Sequence, residues 1–184
     1  WMAEGRKYEE VVLMTASLAR LLRQSISNED EVVPLAREVE YAKGYLTIQK
    51  MRYKDKLEFE IDVEPSILNI PLIKLVLQPI IENAIYHGLK YKESKGLLQV
   101  KGFMKDGNAV LQVIDNGVGM DEETLSHIYD KHKVNYHSNG VGVYNVQKRL
   151  KLYYGENYGI TYESEKGVGT TATITIPGIQ EESI

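Results

Sequence analysis

Apolar residues along this chain recur with two rhythms, one of three to four residues and one of two. From Glu4 to about Ile26 the spacing is helical. At about 100° per residue, Tyr8, Val11, Met14, Leu18, Leu21, Leu22 and Ile26 share one side, while Glu9, Ser17, Arg20, Arg23 and Gln24 share the other. An apolar face of about half the circumference is wider than a coiled-coil seam and predicts a helix between two neighbours, as in a bundle. The polar run "SISNEDEVVP" breaks the pattern, which places a boundary near Asn28 to Pro34.

A second helix is predicted from Leu35 to Tyr53, with Val39, Ala42, Leu46 and Tyr53 on one face. "KLEFEIDVE" alternates with period two and reads as a strand. "IPLIKLVLQPIIENAIYHGL" reads as a buried helix, apolar nearly all round, with Pro71 in its first turn, a kink at Pro79 and an end at Gly88. "GLLQVKGFMKDGNAVLQVID" reads as a hairpin turning at Asp106-Gly107. A further helix over Val141 to Tyr153 and two strands joined by "KGVG" close the chain. Helices followed by strands interleaved with helices imply a two-layer α/β sandwich, a mixed sheet with helices on one face, preceded by an N-terminal helix.

Composition narrows the chemistry. A net charge of −4 argues against direct nucleic-acid binding. The absence of cysteine excludes disulfides and thiolate metal sites. No apolar run approaches the roughly 18 residues of a membrane span. The opening Trp1-Met2 reads either as the start of a piece of something longer or as a cloning scar.

Several short motifs carry chemistry. In the buried helix, Asn83 and His87 are four apart and share a face. A buried amide without partners costs about 1–3 kcal/mol, so Asn83 requires either a backbone carbonyl or a cation shared with phosphate oxygens. In "DNGVGM", Asp115 ends a strand beside Gly117 and Gly119. It suits either a tight turn or the acceptor for an exocyclic amine on a flat ring brought close to the backbone. "NGVGVYNV" places Gly140 and Gly142 before a helix, where free N–H groups favour phosphate, but the dinucleotide fingerprint is incomplete. Gly167, Gly169 and Thr170 alone are a hairpin connection.

In this order the motifs resemble the ATP-binding (Bergerat) domain of the gyrase/Hsp90/histidine-kinase/MutL superfamily. "QPIIENAIYHG" looks like its N box, "DNGVGM" its first glycine box, "NGVGVYNVQKRL" its second and "KGVGTTATITIP" its last. Together with "VPLAREVEYAKGYLTIQKMRY", these motifs resemble the LytS/YesM-like sensor histidine kinases. The first helix looks like the second helix of their dimerisation and phosphoacceptor region. The implied domains are 1–33, the C-terminal part of that helical region, and 34–184, the ATP-binding kinase domain.

The resemblance implies ATP and Mg²⁺ as ligands. Asn83 would hold Mg²⁺, and Asp115 would accept from the adenine amino group. Gly117 and Gly119 would admit the ring, Gly140 and Gly142 would face the phosphates, and Thr170 would close the pocket behind adenine. Glu82 would assist phosphoryl transfer, a surface Glu paired to a lysine being the other reading. Asp121 to Asn139 would form a short lid, mobile without nucleotide, from which Lys131, Lys133 and His137 reach toward phosphate. Two positions depart from the kinase pattern: Pro79 replaces a second Asn, and Tyr86 replaces a basic residue whose contact Arg149 or a lid lysine would supply.

The family's phosphoacceptor context is missing around His87, His127, His132 and His137. The chain is therefore expected to bind ATP without autophosphorylating at the family's site. The implied partners are a response regulator receiver domain and a second copy, paired through the N-terminal helical region. The implied location is the cytoplasmic portion of a membrane-anchored bacterial sensor, with membrane attachment only through upstream segments. Two other readings stay open: an ATPase of the same superfamily, and a non-catalytic ATP-sensing or dimerisation module.

Overall fold

A computed structural model describes residues 31–92, 94–128 and 140–178, together with Val12 and Thr15. The predicted first helix lies outside the described residues except for Val12 and Thr15, both helical and exposed.

A short strand, β1 (Val32–Pro34), leads into the helix α1 (Leu35–Tyr53), as the apolar spacing predicts. The α1 residues Leu35, Glu38, Ala42, Tyr45, Leu46 and Gln49 are buried along one helical face. The first N–H groups of α1, which no helix can satisfy internally, donate from Leu35 to the Ile70 carbonyl at 2.9 Å and from Ala36 to the Leu68 carbonyl at 2.8 Å. In β2 (Leu57–Val63), Leu57, Phe59, Ile61 and Val63 turn to the core while Glu58, Glu60 and Asp62 alternate with them.

The expected single helix from Ile70 to Gly88 is divided. Pro71–Ile73 forms a strand, β3, antiparallel to β1, with Val32 opposite Ile73. Leu75 then adopts φ 62°, a left-handed conformation no helix continues through. The helix α2 begins only at Leu77 and runs to Asn83, continuing through a wider turn, Ala84–Leu89, closed by Lys90 N–H donating to the Ile85 carbonyl at 2.8 Å. Pro79 therefore sits in the first turn of α2, where its missing N–H forfeits no helical bond, and the expected kink is absent.

What fixes this boundary is Glu38 from α1, a carboxylate only 2% exposed. It accepts from the backbone N–H groups of Leu75 (2.7 Å), Val76 (2.9 Å) and Leu77 (3.1 Å). Burial pushes the Glu38 carboxyl pKa up, while these three N–H donors and the nearby Arg149 guanidinium pull it down.

The hairpin of β4 (Gly96–Lys105) and β5 (Asn108–Asp115) turns at Asp106 (φ 50°) and Gly107 (φ 77°), both left-handed as a tight two-residue hairpin requires. A short helix, α3 (Glu122–Ser126), follows. The helix α4 (Gly140–Tyr154) and the strands β6 (Gly159–Glu165) and β7 (Gly169–Pro177) complete the described chain.

The large sheet has the order β2-β4-β5-β7-β6. The β2/β4 pair is parallel and the other pairs are antiparallel. The core joins α1, α2 and α4 to one face of this sheet through Leu46, Ile81, Ile85, Leu111, Val143, Leu150 and Ile174. This is the expected two-layer α/β sandwich. It leaves the C-terminal end of α2 against the end of β5.

Candidate functional site

A cavity of about 560 Å³ opens between α2, the end of β5, the segment from Gly119 to Ile128, and β6/β7. Its wall is mostly apolar, with Ile80, Ala84, Val113, Met120, Ile128 and Ala172. Its polar groups include Asn83, His87, Asp115, Thr124 and Thr170. A mostly apolar, partly enclosed cavity with few convergent polar groups is the usual form of a small-molecule site.

Asp115 is 6% exposed, and its Oδ1 accepts from the Gly117 N–H at 2.8 Å. Burial raises its pKa to about 6, against the pull of the Gly117 and Thr170 N–H groups and the charge of Lys92. Lys92 also donates to the Asn116 carbonyl behind the loop. Two glycines press the carboxylate into place. A Cβ at Gly88 would lie 2.6 Å from Asp115 Oδ1, and one at Gly117 would lie 2.4 Å from the Gly88 carbonyl carbon. Gly119 has φ 62°, and a Cβ there would meet the Glu165 carbonyl oxygen at 1.9 Å. The loop therefore needs these glycines for close backbone approach as well as for turning.

The elevated pKa has a stability consequence with a definite sign. Between its ordinary value and about 6 the folded chain retains a proton that the unfolded chain has released, so stability falls as pH rises through that window. We expect the stability difference between wild type and Asp115→Asn to shift against wild type by about 2 kcal/mol from about pH 4.5 to about pH 7.5. Urea unfolding of both proteins at the two pH values measures this, and a pH-independent difference would contradict it.

On the helical wall, Asn83 Oδ1 is enclosed and has no hydrogen-bond partner among the described residues. Glu82 precedes it but is not part of the cavity lining. Its carboxylate is half-buried and accepts from Gln78 Nε2 at 3.0 Å. Gly117 stands behind the lining, against Gly88.

Gly140 and Gly142 lie inside the first turn of α4 rather than in a turn ahead of it, and a Cβ at Gly142 would contact Pro79 at 3.3 Å. Arg149 does not line the cavity; it donates to the Lys74 carbonyl at 3.0 Å and supports the Glu38 cap. Of the expected lid, α3 and its flanks are described, and Glu123, Thr124, His127 and Ile128 line the cavity. Asp121 caps α3 by accepting from Thr124 N–H at 3.0 Å. Lys131, Lys133 and His137 lie outside the described residues.

Three contributors to the site had no chemistry assigned to them in the sequence, although Gly88 closes the N-box-like stretch. Gly88 was legible only as a helix stop, yet it is the floor under Asp115. Lys92 sits in an unremarkable charged loop. Ser164 on β6 accepts from Met120 N–H at 2.8 Å, donates to the Gly169 carbonyl at 3.0 Å and lies 2.9 Å from Thr170 Oγ1. Only the strand register, which sets Ser164 opposite Thr170, reveals it.

Comparison with known proteins adds a family to this fold. Residues 69–180 match the model of the histidine kinase-, DNA gyrase B- and HSP90-like ATPase family, and residues 1–57 match a histidine kinase model. The chain is 32% identical over 177 residues to the sensor histidine kinase YesM of Bacillus subtilis, covering 96% of this chain and 29% of that protein. It is 34% identical over 143 residues to the sensor protein LytS of Oceanobacillus iheyensis, covering 76% and 24%. The chain thus spans less than a third of the length of these relatives.

Among solved structures, the catalytic domain of histidine kinase ThkA superposes with a TM-score of 0.62 at 14% identity, covering 81% of this chain and 99% of that one. The histidine kinase domain of the Erythrobacter litoralis EL346 blue-light activated kinase gives 0.56 at 16% identity, covering 94% and 73%. At such identities the superpositions establish the fold.

Proposed function

The chain belongs to the histidine kinase-, DNA gyrase B- and HSP90-like ATPase family, and on that premise we propose that it is the ATP-binding catalytic part of a two-component sensor histidine kinase. It transfers the ATP γ-phosphate to a histidine on an upstream helix, for relay to a response regulator. In the parent protein, residues 1–33 close the dimerisation region and 34–184 form the kinase domain, the whole being the cytoplasmic end of a membrane-anchored sensor. Among the described residues, no helix is long and apolar enough to cross a membrane.

The observation that carries this reading is the cavity's pairing of a buried carboxylate with an unsatisfied amide oxygen. Ile80, Ala84, Val113 and Ala172 would flank adenine, and Asp115 would accept from its amino group. A side chain at Gly88 would collide with that carboxylate, and one at Gly117 would collide with Gly88.

Asn83 suits Mg²⁺. Its Oδ1 is an enclosed acceptor in want of a partner, and the described residues gather no group of three or more His, Asp or Glu side chains. A hard ion that keeps most of its shell in phosphate and water oxygens needs only such a single protein oxygen. The ion, when bound, neutralises charge developing on the phosphates.

Glu82 is not among the residues that line the cavity and is held by Gln78. In this reading Glu82 accepts from the N–H of an incoming imidazole while the other ring nitrogen attacks the γ-phosphorus and ADP departs. It thereby orients the ring and makes it more basic.

Calorimetric titration of ATP with and without Mg²⁺ tests the site. Loss of a charge-assisted hydrogen bond costs about 1.5–3 kcal/mol, so Asp115→Asn is expected to weaken ATP about ten- to a hundredfold. Asn83→Ala is expected to remove the Mg²⁺ dependence. If wild type binds no adenine nucleotide, the reading is wrong.

A further inference from the structure

Ser164 is part of no motif and does not line the cavity, yet its hydroxyl is fully committed. A hydroxyl has one proton and two lone pairs. The Met120 N–H can only donate, so it occupies one lone pair of Ser164 Oγ, at 2.8 Å. The Gly169 carbonyl can only accept, so it takes the Ser164 proton, at 3.0 Å. One lone pair remains, facing Thr170 Oγ1 at 2.9 Å. The contact can then be filled in one way, with Thr170 as donor. The single hydroxyl proton of Thr170 is spent on Ser164, and toward the cavity that it lines Thr170 has only lone pairs to offer.

We propose that Ser164 is a positioning residue that sets the base specificity of the site, by locking the Thr170 hydroxyl as an acceptor beside the Asp115 carboxylate. Thr170 and Asp115 are register partners on β7 and β5, so the two acceptors sit side by side at one end of the cavity. A purine edge bearing an amino group satisfies them. A 6-oxo edge can pair only one of them, through its N1–H, and sets its carbonyl oxygen against the other, leaving a buried acceptor unpaired, the situation in which polar sites discriminate most strongly. With Ser164 removed, Thr170 regains its proton and can turn it toward a carbonyl. The inference rests on the adenine reading of the cavity.

The test titrates the full chain with ATP and with inosine triphosphate, which carries a carbonyl in place of the adenine amino group and an N1–H in place of the N1 lone pair. Wild type should prefer ATP, and Ser164→Ala should narrow that preference about tenfold. Ser164→Thr should restore it. In a Thr170→Val background, Ser164→Ala should change the ratio no further. A merely structural brace would weaken both nucleotides equally, so an unchanged ratio in Ser164→Ala overturns the inference and leaves the adenine site intact. If Ser164→Ala does not fold, Thr170→Val alone must narrow the ratio, and an unchanged ratio there is equally decisive. If wild type binds neither nucleotide, the adenine reading fails first.

Discussion

Replacing Glu82 by glutamine is expected to slow phosphoryl transfer about 10²- to 10³-fold while leaving ATP affinity within about threefold, the range that general-base groups contribute elsewhere. The two effects separate because Glu82 neighbours Asn83 in sequence without sharing its wall. The Asn83 amide lines the cavity, whereas the Glu82 carboxylate accepts from Gln78 one turn back. Glutamine preserves size and the Gln78 contact but cannot draw proton density from an imidazole. Single-turnover transfer to a separately supplied phosphoacceptor helix from a YesM- or LytS-like sensor, with ATP affinity measured on the same preparations, gives both numbers. A loss of affinity parallel to the loss of rate would move Glu82 into the nucleotide site, and unchanged transfer would reduce it to a surface carboxylate.

Glu38→Ala is expected to be the most damaging single substitution for stability, at about 3 kcal/mol or more, because it strands three N–H donors at once, two of them buried and the third partly so. For a chain of this size that is a fall of about 10 °C in melting temperature. Glu38→Gln retains one acceptor oxygen but aims an amino group at donors, and should fall between. Arg149→Ala should be milder, since Arg149 holds the Lys74 carbonyl and only assists the carboxylate. Calorimetric melts of the three variants would order them. A Glu38→Ala protein as stable as wild type would mean that water satisfies the three donors, and that Leu75 reaches its left-handed conformation for another reason.

Glu38 also explains which features could be seen in the sequence. Elements whose cause is local could be read directly: the alternation in β2, the helical spacing of α1 and the Asp106-Gly107 turn each carry their reason within a few residues. The start of α2 could not, because an apolar run from Ile70 to Leu89 fits a helix, and what cuts it is a carboxylate arriving from α1. Pro79 was misread for the same cause, since whether it kinks a helix or opens one depends on where the helix begins.

At the site, Asp115 and Asn83 stood out as polar residues in apolar or glycine-rich surroundings, whereas Thr170, alone a hairpin residue, was singled out only through the family resemblance. Ser164 did not stand out, and Gly88 entered only as the end of the N-box-like stretch, since a serine in an exposed-looking strand and a glycine after a helix have ordinary explanations. Their roles come from cross-strand register and from the space a missing Cβ leaves.

The strand order has a kinetic corollary. The β4–β5 hairpin closes over two residues and can form early, whereas β7, the last strand in the described chain, must find β5 across a long intervening segment. Asp115 lies on the early partner and Thr170 on the late one. The site does not exist until the slowest pairing is made, so ATP has nothing to recognise in a partly folded chain. Bound nucleotide then stabilises only the finished domain, and nucleotide-dependent protection of β7 amides from exchange would report the final step of folding.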